Sequence, residues 1–493
     1  MKMSQFSPLL LALFSGVAAV VGIRLPHFGW AVVLVPFFLL LAVRRSGVTT
    51  AQAALYGFIC GVLLMLAATG WIGFAFPILA KLPLPKIYGV LFIAFTWSAT
   101  VTVSATGVAA FAVLAHRLRL PLYSDILVLS VAWPVFEFIR MFLFSLLSAG
   151  SGVLDTPHFS FGFLGYSLAD YDALLQIGRF GGVYALSGFV AAVGVGLYWL
   201  YTAKEINKRL PLGALTLAVV FGLGLVIPLS PFLHVLTKGN EKIETVAVVT
   251  RYKSLTPPYP LPPIDTHLFN SATLTVLSEE TAAYPPFASS TVPVSLVGKA
   301  FPFTTTIIDS GTVEDSDGTK LERSTAVSKR GVAFLRDKAV IVPYGEYTPA
   351  LFRLFARAFG VEGVLNDFQK GRRFRPGTLV AAAPAGDLRV STLFCYEVAV
   401  PQLAKEVVDR TGANIIAVVA AHTWFRGAQS LHTDVLRMTK VQAVSAGVPI
   451  ARSSQDDSAF VVDRFGRVLY SESRKNGGVA VVSVPVAVHT VSK

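Results

Sequence analysis

The stretch RVSTLFCYEVAVPQLAKE, residues 389–406, decides how the second half of this chain folds. Its beginning alternates polar and apolar residues up to Cys395, which is typical of a strand, and a helix is predicted over Val400–Thr411. Similar β-branched runs recur on both sides of this stretch and alternate with helical segments, which predicts a layered α/β domain. The other predicted elements are strands at Thr245–Val249, Thr273–Leu277, Ala339–Val342, Leu388–Leu393, Ile415–Val419, Phe460–Val462 and Val479–Val484, and a helix at Leu431–Ala446.

Cys395 stands at the predicted strand-to-helix elbow. A cysteine there can face a helix N-terminus, whose dipole favours the thiolate. A buried apolar cysteine is the commoner situation. Glu397, two residues on, favours a chemical role, because a carboxylate is poorly placed beside a cysteine that merely fills an apolar core. A disulfide with Cys60 is not expected, since that residue lies in a distant apolar run.

Two further patches carry polar groups beside predicted strands. In LSEETAAYP, residues 277–285, Glu280 stands at the C-terminal end of a strand, where α/β domains usually place working side chains. In DKAVIVPYGEYTP, residues 337–349, Lys338 precedes an apolar run and Glu346 follows a turn at Gly345 that would direct it inward. Taken alone, a glutamate after a strand or a lysine beside one is more often a solvated charge. No structure is assigned to the polar segment Ser289–Glu314, and Arg251–Pro263 is expected to be a loop.

The first half of the chain has the composition of a membrane protein. The 493 residues are 54% hydrophobic and 14% charged, and only 15 of the 71 charged residues lie before residue 201. The apolar stretches long enough to cross a bilayer lie at 7–23, 28–43, 50–76, 87–115, 124–146, 175–201 and 212–234. The first could instead be a cleaved signal peptide, but six further spans favour a retained helix.

The charges of the loops predict the orientation. With the N-terminus inside, eight Lys and Arg residues of the connecting segments are cytoplasmic and three are external, as the positive-inside rule requires. Seven spans then place the second half outside the cytoplasm. The aromatic-rich loop Ser148–Asp172 is expected to lie along the lipid interface. Glu137 and Arg140, three residues apart in the fifth span, are interpreted either as a structural ion pair or as the lining of a lipid-access cavity.

Several classes of function are disfavoured. The net charge of +13 is explained by cytoplasmic loops, and no basic run interleaved with aromatics suggests nucleic-acid binding. The eight histidines lack metal-ligand spacing, so no metal site is expected. Phosphate-binding glycine motifs and a GxSxG elbow are also missing, so neither a nucleotide cofactor nor a serine hydrolase is expected.

Glu280, Lys338 and Cys395 occur in this order, within the motifs ETA, KxxxVPYGEYxP and CYE. This pattern resembles the Glu-Lys-Cys triad of the nitrilase superfamily, and in particular its membrane-anchored apolipoprotein N-acyltransferase branch. Three further segments are similar to that family's membrane signatures: WPVFEFIR (133–140), LGYS (164–167) and LLQIGRFGGVYALS (174–187). The resemblance implies a transmembrane helical domain at 1–236 and an αββα nitrilase-like catalytic domain at 243–488.

The resemblance also implies a role for each site residue. Glu280 would be the general base, Cys395 the nucleophile and Lys338 the cation that stabilises the oxyanion. Supporting positions are Glu346, Tyr396, Glu397 and Trp424. No cofactor or metal is implied.

This sequence departs from the family pattern at several positions. Ser278 and Glu279 replace a Trp-Pro pair, which adds a carboxylate beside the predicted base, and Thr250–Ser254 replaces a Gln-Gly-Asn-x-Pro segment. Ala421 and His422 replace an Asn-Asp pair. The remaining departures are Gln442 and Ser445 in place of Arg and Glu, and the lack of a C-terminal span after residue 478.

The sequence therefore predicts an integral membrane N-acyltransferase at the bacterial inner membrane, with its catalytic domain on the periplasmic side. A phospholipid would donate an acyl chain through a Cys395 thioester to the N-terminal diacylglyceryl-cysteine of an apolipoprotein. Two alternatives stay open. They are a membrane-tethered amidase or acyl hydrolase, and a catalytically silent envelope scaffold.

Overall fold

A computed structural model describes most of the chain and divides it into two compact units. The helical unit comprises Met1–Leu146, Pro157–Leu229 and Ala428–Val441, and the α/β unit comprises Leu147–Thr156, Ser230–Gly427 and Gln442–Lys493. The described residues are 6–75, 86–150, 157–202, 212–227, 229–237, 241–250, 270–279, 304–314, 318–358, 360, 362–363, 373–422, 425, 428–455, 459–472 and 478–487. The predicted loop Arg251–Pro263 lies outside them.

Apolar helices dominate the helical unit. They are α1 (Pro8–Arg24), α2 (Leu34–Val43), α3 (Thr50–Thr69), α4 (Lys86–Arg117), α5 (Leu122–Leu147), α6 (Asp172–Leu175), α7 (Gly178–Thr202) and α8 (Leu212–Val226). Among the described residues, four stretches are long and apolar enough to cross a membrane: Thr50–Ala75, Gly89–Arg117, Leu122–Leu147 and Gly178–Thr202. Shorter apolar helices occupy the positions of the other three predicted spans, so the count of seven is not confirmed.

The aromatic segment after α5 lies inside the helical unit, so the prediction that its rings lie along a lipid interface is wrong. The rings of Phe159, Phe161, Phe163 and Tyr166 are all buried. Glu137 accepts a hydrogen bond from the Leu164 N–H at 2.8 Å, and Arg140 donates one to the Phe161 carbonyl at 3.0 Å. These two charged residues therefore hold the segment in place. Both also line a small pocket, so the two interpretations of them stay open.

Two six-stranded sheets form the α/β unit. Their strands are β1 (Glu241–Thr250), β2 (Leu274–Val276), β3 (Thr306–Glu314), β4 (Lys320–Ser328), β5 (Gly331–Asp337), β6 (Ala383–Ala385), β7 (Leu388–Phe394), β8 (Ile415–Ala421), β9 (Ile450–Gln455), β10 (Ala459–Val462), β11 (Val468–Glu472) and β12 (Gly478–Ala487). The orders are β12-β1-β2-β3-β4-β5 and β11-β10-β9-β8-β7-β6. In each sheet three parallel strands, β1 to β3 or β7 to β9, are flanked by antiparallel ones.

The sheets pack face to face through one apolar core. Val248 and Leu335 of the first sheet share it with Phe394 and Val419 of the second. Strand β8, IIAVVAA, is apolar along its whole length because the central strand of a parallel sheet is covered on both faces. The helices after the parallel strands are α11 (Leu403–Thr411), which follows β7, and α12 (Gln429–Ala446), which follows β8 and belongs to the helical unit as far as Val441. The predicted fold class, a helical part and an α/β domain with two facing sheets, is confirmed.

The remaining helices are α9 (Leu229–Thr237), which precedes β1, and α10 (Ala350–Ala358), which follows the Glu346 turn. Strand β3 lies in the segment Ser289–Glu314, to which the sequence analysis assigned no structure. The predicted strand Ala339–Val342 is wrong. The strand is β5, which ends just before Lys338, because the N–H groups of Ala339 and Val340 are bound by the Glu397 carboxylate instead of a neighbouring strand.

Candidate active site

The candidate site lies where strands of both sheets end. Glu279 follows β2, Lys338 follows β5 and Cys395 follows β7 directly. The end of β8 joins two of them, because the Glu279 N–H bonds to the Ala420 carbonyl at 3.3 Å and the Cys395 thiol bonds to the Ala421 carbonyl at 3.6 Å. The carboxyl ends of parallel strands are the usual location of functional side chains in α/β folds.

Lys338 is buried among three carboxylates. Its Nζ donates to Glu279 at 2.8 Å, to Glu322 at 3.2 Å and to Glu346 at 2.5 Å, which uses all three ammonium hydrogens. Burial lowers the pKa of Lys338, but these three negative charges outweigh it and hold the pKa well above its usual range. Lys338 is therefore a permanent cation in this site.

The three carboxylates carry more negative charge than one lysine neutralises. Burial raises the pKa of Glu346, although Lys338 opposes the rise, so protonation is easier there than for a solvated glutamate. Oxygen atoms of Glu279, Glu322 and Glu346 lie within 4.8 Å of one another, a spacing compatible with a metal ion. The Lys338 ammonium bonds to all three, so a resident cation already occupies the position that a metal would need.

Glu397 fixes the distance between the cysteine and lysine segments. Its Oε2 accepts from the Phe394 N–H at 2.9 Å, next to the cysteine, and its Oε1 accepts from the Ala339 N–H at 2.7 Å, next to the lysine. The buried Arg336 guanidinium pairs with the same carboxylate and neutralises it. One side chain thus ties the two reactive residues together across the sheets.

The Cys395 thiol is protonated at rest. Burial and the charge of Glu279 raise its pKa to about 12, although Lys338 and Arg452 act in the opposite direction. The expectation that a helix N-terminus favours the thiolate is wrong, because Cys395–Ala399 is one short 3-10 turn and α11 begins only at Leu403. A proton acceptor is needed when the thiol attacks.

The structure brings together Lys338, Glu346, Cys395 and Glu397 of the predicted site residues. Tyr396 lies in the same 3-10 turn, half-buried, and burial holds its pKa well above the usual range. Glu280 and Trp424 lie outside the described residues. Tyr344 has a positive φ (64°) in the turn before Glu346.

Four contributors were missed by the sequence analysis: Glu279 as a partner of Lys338, Glu322, Arg336 and Arg452. Arg336 stands only two residues before Lys338, so its proximity along the chain was an available signal. Arg452 is fully buried on β9, and its Nη2 lies 3.2 Å from His422 Nδ1.

The departure from the family pattern at Gln442 has a visible structural role. Gln442 of α12 donates to the Val400 carbonyl at 2.6 Å and accepts from the Ala404 N–H at 3.2 Å. It therefore anchors the chain immediately after the Cys395 turn.

The helical unit contains apolar helices of membrane-spanning length, and in the α/β unit a cysteine, a lysine and glutamates meet at the strand ends. These features define the class of a membrane protein with an enzyme-like site. Comparisons with known proteins identify the relatives. Residues 15–196 match the family model described as the apolipoprotein N-acyltransferase N-terminal domain. The apolipoprotein N-acyltransferase of Geobacter metallireducens is 26% identical over 507 residues, which cover 95% of this chain and 89% of that protein.

A second relative of that name, from Brucella melitensis, is 31% identical over 134 residues, covering 27% of this chain and 24% of its own. Among solved structures, an amidase from Nesterenkonia sp. is 19% identical with a TM-score of 0.35, covering 49% of this chain and 90% of the amidase. The predicted resemblance to the apolipoprotein N-acyltransferases is confirmed by the sequence matches, and so is the prediction of an acyltransferase enzyme.

Proposed function

We propose that this chain transfers an acyl group from a phospholipid, through a thioester on Cys395, to the N-terminal amine of a diacylglyceryl-modified apolipoprotein. The observation that carries the proposal is the meeting of Cys395, Lys338 and Glu279 at the strand ends, in a chain whose relatives are named for this activity. The helical unit supports it, because both lipid substrates are confined to a bilayer and binding there replaces diffusion through water.

The proposed reaction has two balanced steps. In the first, a glutamate accepts the Cys395 proton, a bond forms between sulfur and the acyl carbon, and the ester C–O bond breaks. The lysophospholipid leaves with that proton. In the second, the substrate amine forms a bond to the acyl carbon, the C–S bond breaks and the amine's proton returns to the thiol. Lys338 stabilises the oxyanion in both steps.

The roles of the other residues are part of the proposal. The base is one of the adjacent pair Glu279 and Glu280, and Glu280 is the one that the family resemblance indicates. Glu346 and Glu397 position Lys338, and Tyr396 and Trp424 support substrate binding, as the family resemblance implies. We also propose the division into domains 1–236 and 243–488 and a location at the bacterial inner membrane with the catalytic domain in the periplasm.

Acylation without an acceptor tests the mechanism. The purified full-length protein is incubated with vesicles of a phospholipid labelled in its acyl chain, and we expect a hydroxylamine-sensitive label on the protein. Cys395→Ala should abolish both the label and turnover. Cys60→Ala is the matched control and should keep both, because Cys60 is buried in α3 of the helical unit.

The second half-reaction then identifies the acceptor. A synthetic diacylglyceryl-cysteine peptide added to the labelled enzyme should receive the acyl chain as an amide, detected by mass spectrometry. Release of free fatty acid at the same rate with and without the peptide would indicate a hydrolase. A label that survives Cys395→Ala would contradict the thioester mechanism.

A further inference from the structure

The cations of the candidate site differ in the groups that they contact. Lys338 is bound by three carboxylates, and Arg336 is paired with the Glu397 carboxylate. Both positive charges are therefore opposed by negative charges in direct contact. Arg452 on β9 is a further cation of the α/β unit, and its side chain is fully buried.

The register of the second sheet places Arg452 on the same row as the strand that carries the cysteine. Leu393 of β7, Val418 of β8 and Arg452 of β9 are paired side by side across three parallel strands. Cys395 comes two residues after Leu393, toward the carboxyl ends of these strands. A strand rises about 3.3 Å per residue, so Cys395 lies roughly 7 Å beyond the row, within the length of an extended arginine side chain.

A contact shows that the Arg452 side chain extends in this direction. Its Nη2 lies 3.2 Å from Nδ1 of His422, which comes four residues after Val418 at the end of β8. The guanidinium must therefore lie beyond the row, toward the strand ends. The Ala421 carbonyl, directly before His422, accepts the Cys395 thiol at 3.6 Å. Arg452 and the thiol thus contact neighbouring residues of the same strand end.

The charge of Arg452 reaches the thiol. Burial raises the pKa of Cys395 most, and the charge of Glu279 adds to this rise. Lys338 and Arg452 act on the thiol pKa in the opposite direction. The guanidinium has donors only, so the His422 ring nitrogen that it contacts must accept the hydrogen bond, which leaves the imidazole neutral. His422 therefore adds no charge that would cancel the effect of Arg452.

We infer that Arg452 is a second cation of the acyl-transfer site, which stabilises negative charge on the sulfur of Cys395, and that His422 holds its guanidinium at the strand end. This inference rests on the proposed function. Negative charge develops on Sγ in the first step, when its proton leaves for the glutamate. It develops there again in the second step, when the C–S bond breaks and the electron pair returns to sulfur. Arg452 stabilises the sulfur in both steps, while Lys338 stabilises the oxyanion.

Charge-changing variants of the full-length protein test the inference in a Cys60→Ala background, in which Cys395 is the single cysteine. Arg452→Met removes the positive charge, and Arg452→Lys keeps it. His422→Asp places a negative charge beside Arg452, whereas His422→Asn is the matched neutral change. Arg410→Met, at an exposed position of α11, is the control for loss of a positive charge.

The first measurement needs no lipid substrate. The rate of alkylation of Cys395 by iodoacetamide is measured between pH 8 and pH 9.5, where it follows the small thiolate fraction. Arg452→Met and His422→Asp should each react about 3- to 10-fold more slowly than the parent, because a smaller thiolate fraction is offset only in part by the higher nucleophilicity of a less acidic thiol. Arg452→Lys, His422→Asn and Arg410→Met should stay within about 2-fold of the parent.

The second measurement is the rate at which Cys395 takes label from phospholipid vesicles. Arg452→Met and His422→Asp should lower the maximal rate by about 10-fold or more, because the developing charge on sulfur is less stabilised. The vesicle concentration that gives half of the maximal rate should not change, since the inference places neither residue in contact with lipid. A role in packing alone would not distinguish His422→Asp from His422→Asn by their charge.

Equal alkylation rates in Arg452→Met and Arg452→Lys, or in His422→Asp and His422→Asn, would overturn the inference. If Arg452→Met does not fold, the two His422 variants decide, because they leave the arginine in place. If the wild-type protein takes no label from phospholipid, the proposed function fails instead. The alkylation rates then still decide whether Arg452 acts on the thiol.

Discussion

Replacing Lys338 by methionine removes the cation from the centre of the site and nearly preserves its volume. The substitution leaves Glu279, Glu322 and Glu346 buried together without their shared partner. Turnover should fall by about 100-fold or more, because the positive charge that stabilises the oxyanion is lost. The protein should still insert into membranes, since the changed residue lies in the α/β unit.

The structure sets the size of the stability change. The Lys338 side chain is 1% exposed and all three of its hydrogens are bound. Removing one partner of a buried ion pair costs about 3–5 kcal/mol, because the remaining charge is left uncompensated. For a unit of this size, such a loss corresponds to a fall in unfolding temperature of roughly 6–20 °C.

The loss should depend on pH with a definite sign. Burial and the charge of Glu279 already raise the pKa of Glu346, and Lys338 opposes the rise, so removing Lys338 raises the folded-state pKa of Glu346 further above its unfolded value. A carboxyl group with a raised folded pKa stabilises the fold in acid and loses that effect as pH rises through the folded pKa. Each extra proton held by the folded state changes stability by about 1.4 kcal/mol per pH unit. The variant should therefore be closest to wild type in acid.

Unfolding of the full-length protein in detergent, followed by circular dichroism at pH 5.5, 6.5 and 7.5, measures both effects. The matched control is Lys405→Met, which breaks a surface pair with Asp409 and should change stability by less than about 1 kcal/mol at every pH. A Lys338→Met variant that unfolds within about 2 °C of wild type at all three pH values would refute the reasoning on which these magnitudes rest. Near-normal turnover would remove the lysine from the mechanism.

Two further predictions use other parts of the chain. Glu397→Gln should destabilise the protein by about 3–5 kcal/mol and slow acylation, because it leaves Arg336 buried without its counter-charge and weakens the link between Phe394 and Ala339. The control is Glu362→Gln, which breaks an exposed pair and should shift the unfolding temperature very little. A reporter enzyme that is active only in the periplasm, fused after Lys493, should be active if the N-terminus is cytoplasmic and the number of spans is odd. Activity of a reporter that works only in the cytoplasm, fused at the same place, would contradict the proposed orientation.

Parallel strands were the part of the fold that the sequence predicted best. The run Ile415–Val419 lies within β8, because the central strand of a parallel sheet is apolar along its whole length. Leu388–Leu393 lies within β7, whose alternation of polar and apolar residues is typical of a strand. The predicted strand after Lys338 is the instructive failure. Ala339–Val342 has the composition of a strand, but the N–H groups of Ala339 and Val340 bind Glu397, which lies in a distant part of the chain. Local patterns do not reveal such long-range partners.

Glu322 was missed for a related reason. Strands β4 and β5 form a hairpin in which Ser328 pairs with Gly331, and an irregularity between Ser324 and Thr325 shifts the register by one residue. A one-residue shift in an antiparallel pair exchanges the faces to which side chains point. With the shift, the Lys338 N–H reaches the Glu322 carbonyl, and the two side chains meet. Counting back from the turn without the shift would have paired Glu322 with Asp337.

Three departures from the family pattern, Glu279, Ala421 and Gln442, lie where the backbone of the site is anchored. Gln442 bonds on both sides of the segment after Cys395. Ala421 needs only its carbonyl to hold the thiol, so a change of side chain there leaves the contact intact. Glu279 adds a carboxylate that Lys338 can neutralise, and a buried charge without such a partner would be strongly unfavourable. These contacts keep the thiol, the ammonium and the carboxylate together, whereas under the proposed function substrate selectivity would depend on side chains that face the lipid and the peptide. The substitutions should therefore change which acceptor is used more than they change the formation of the thioester.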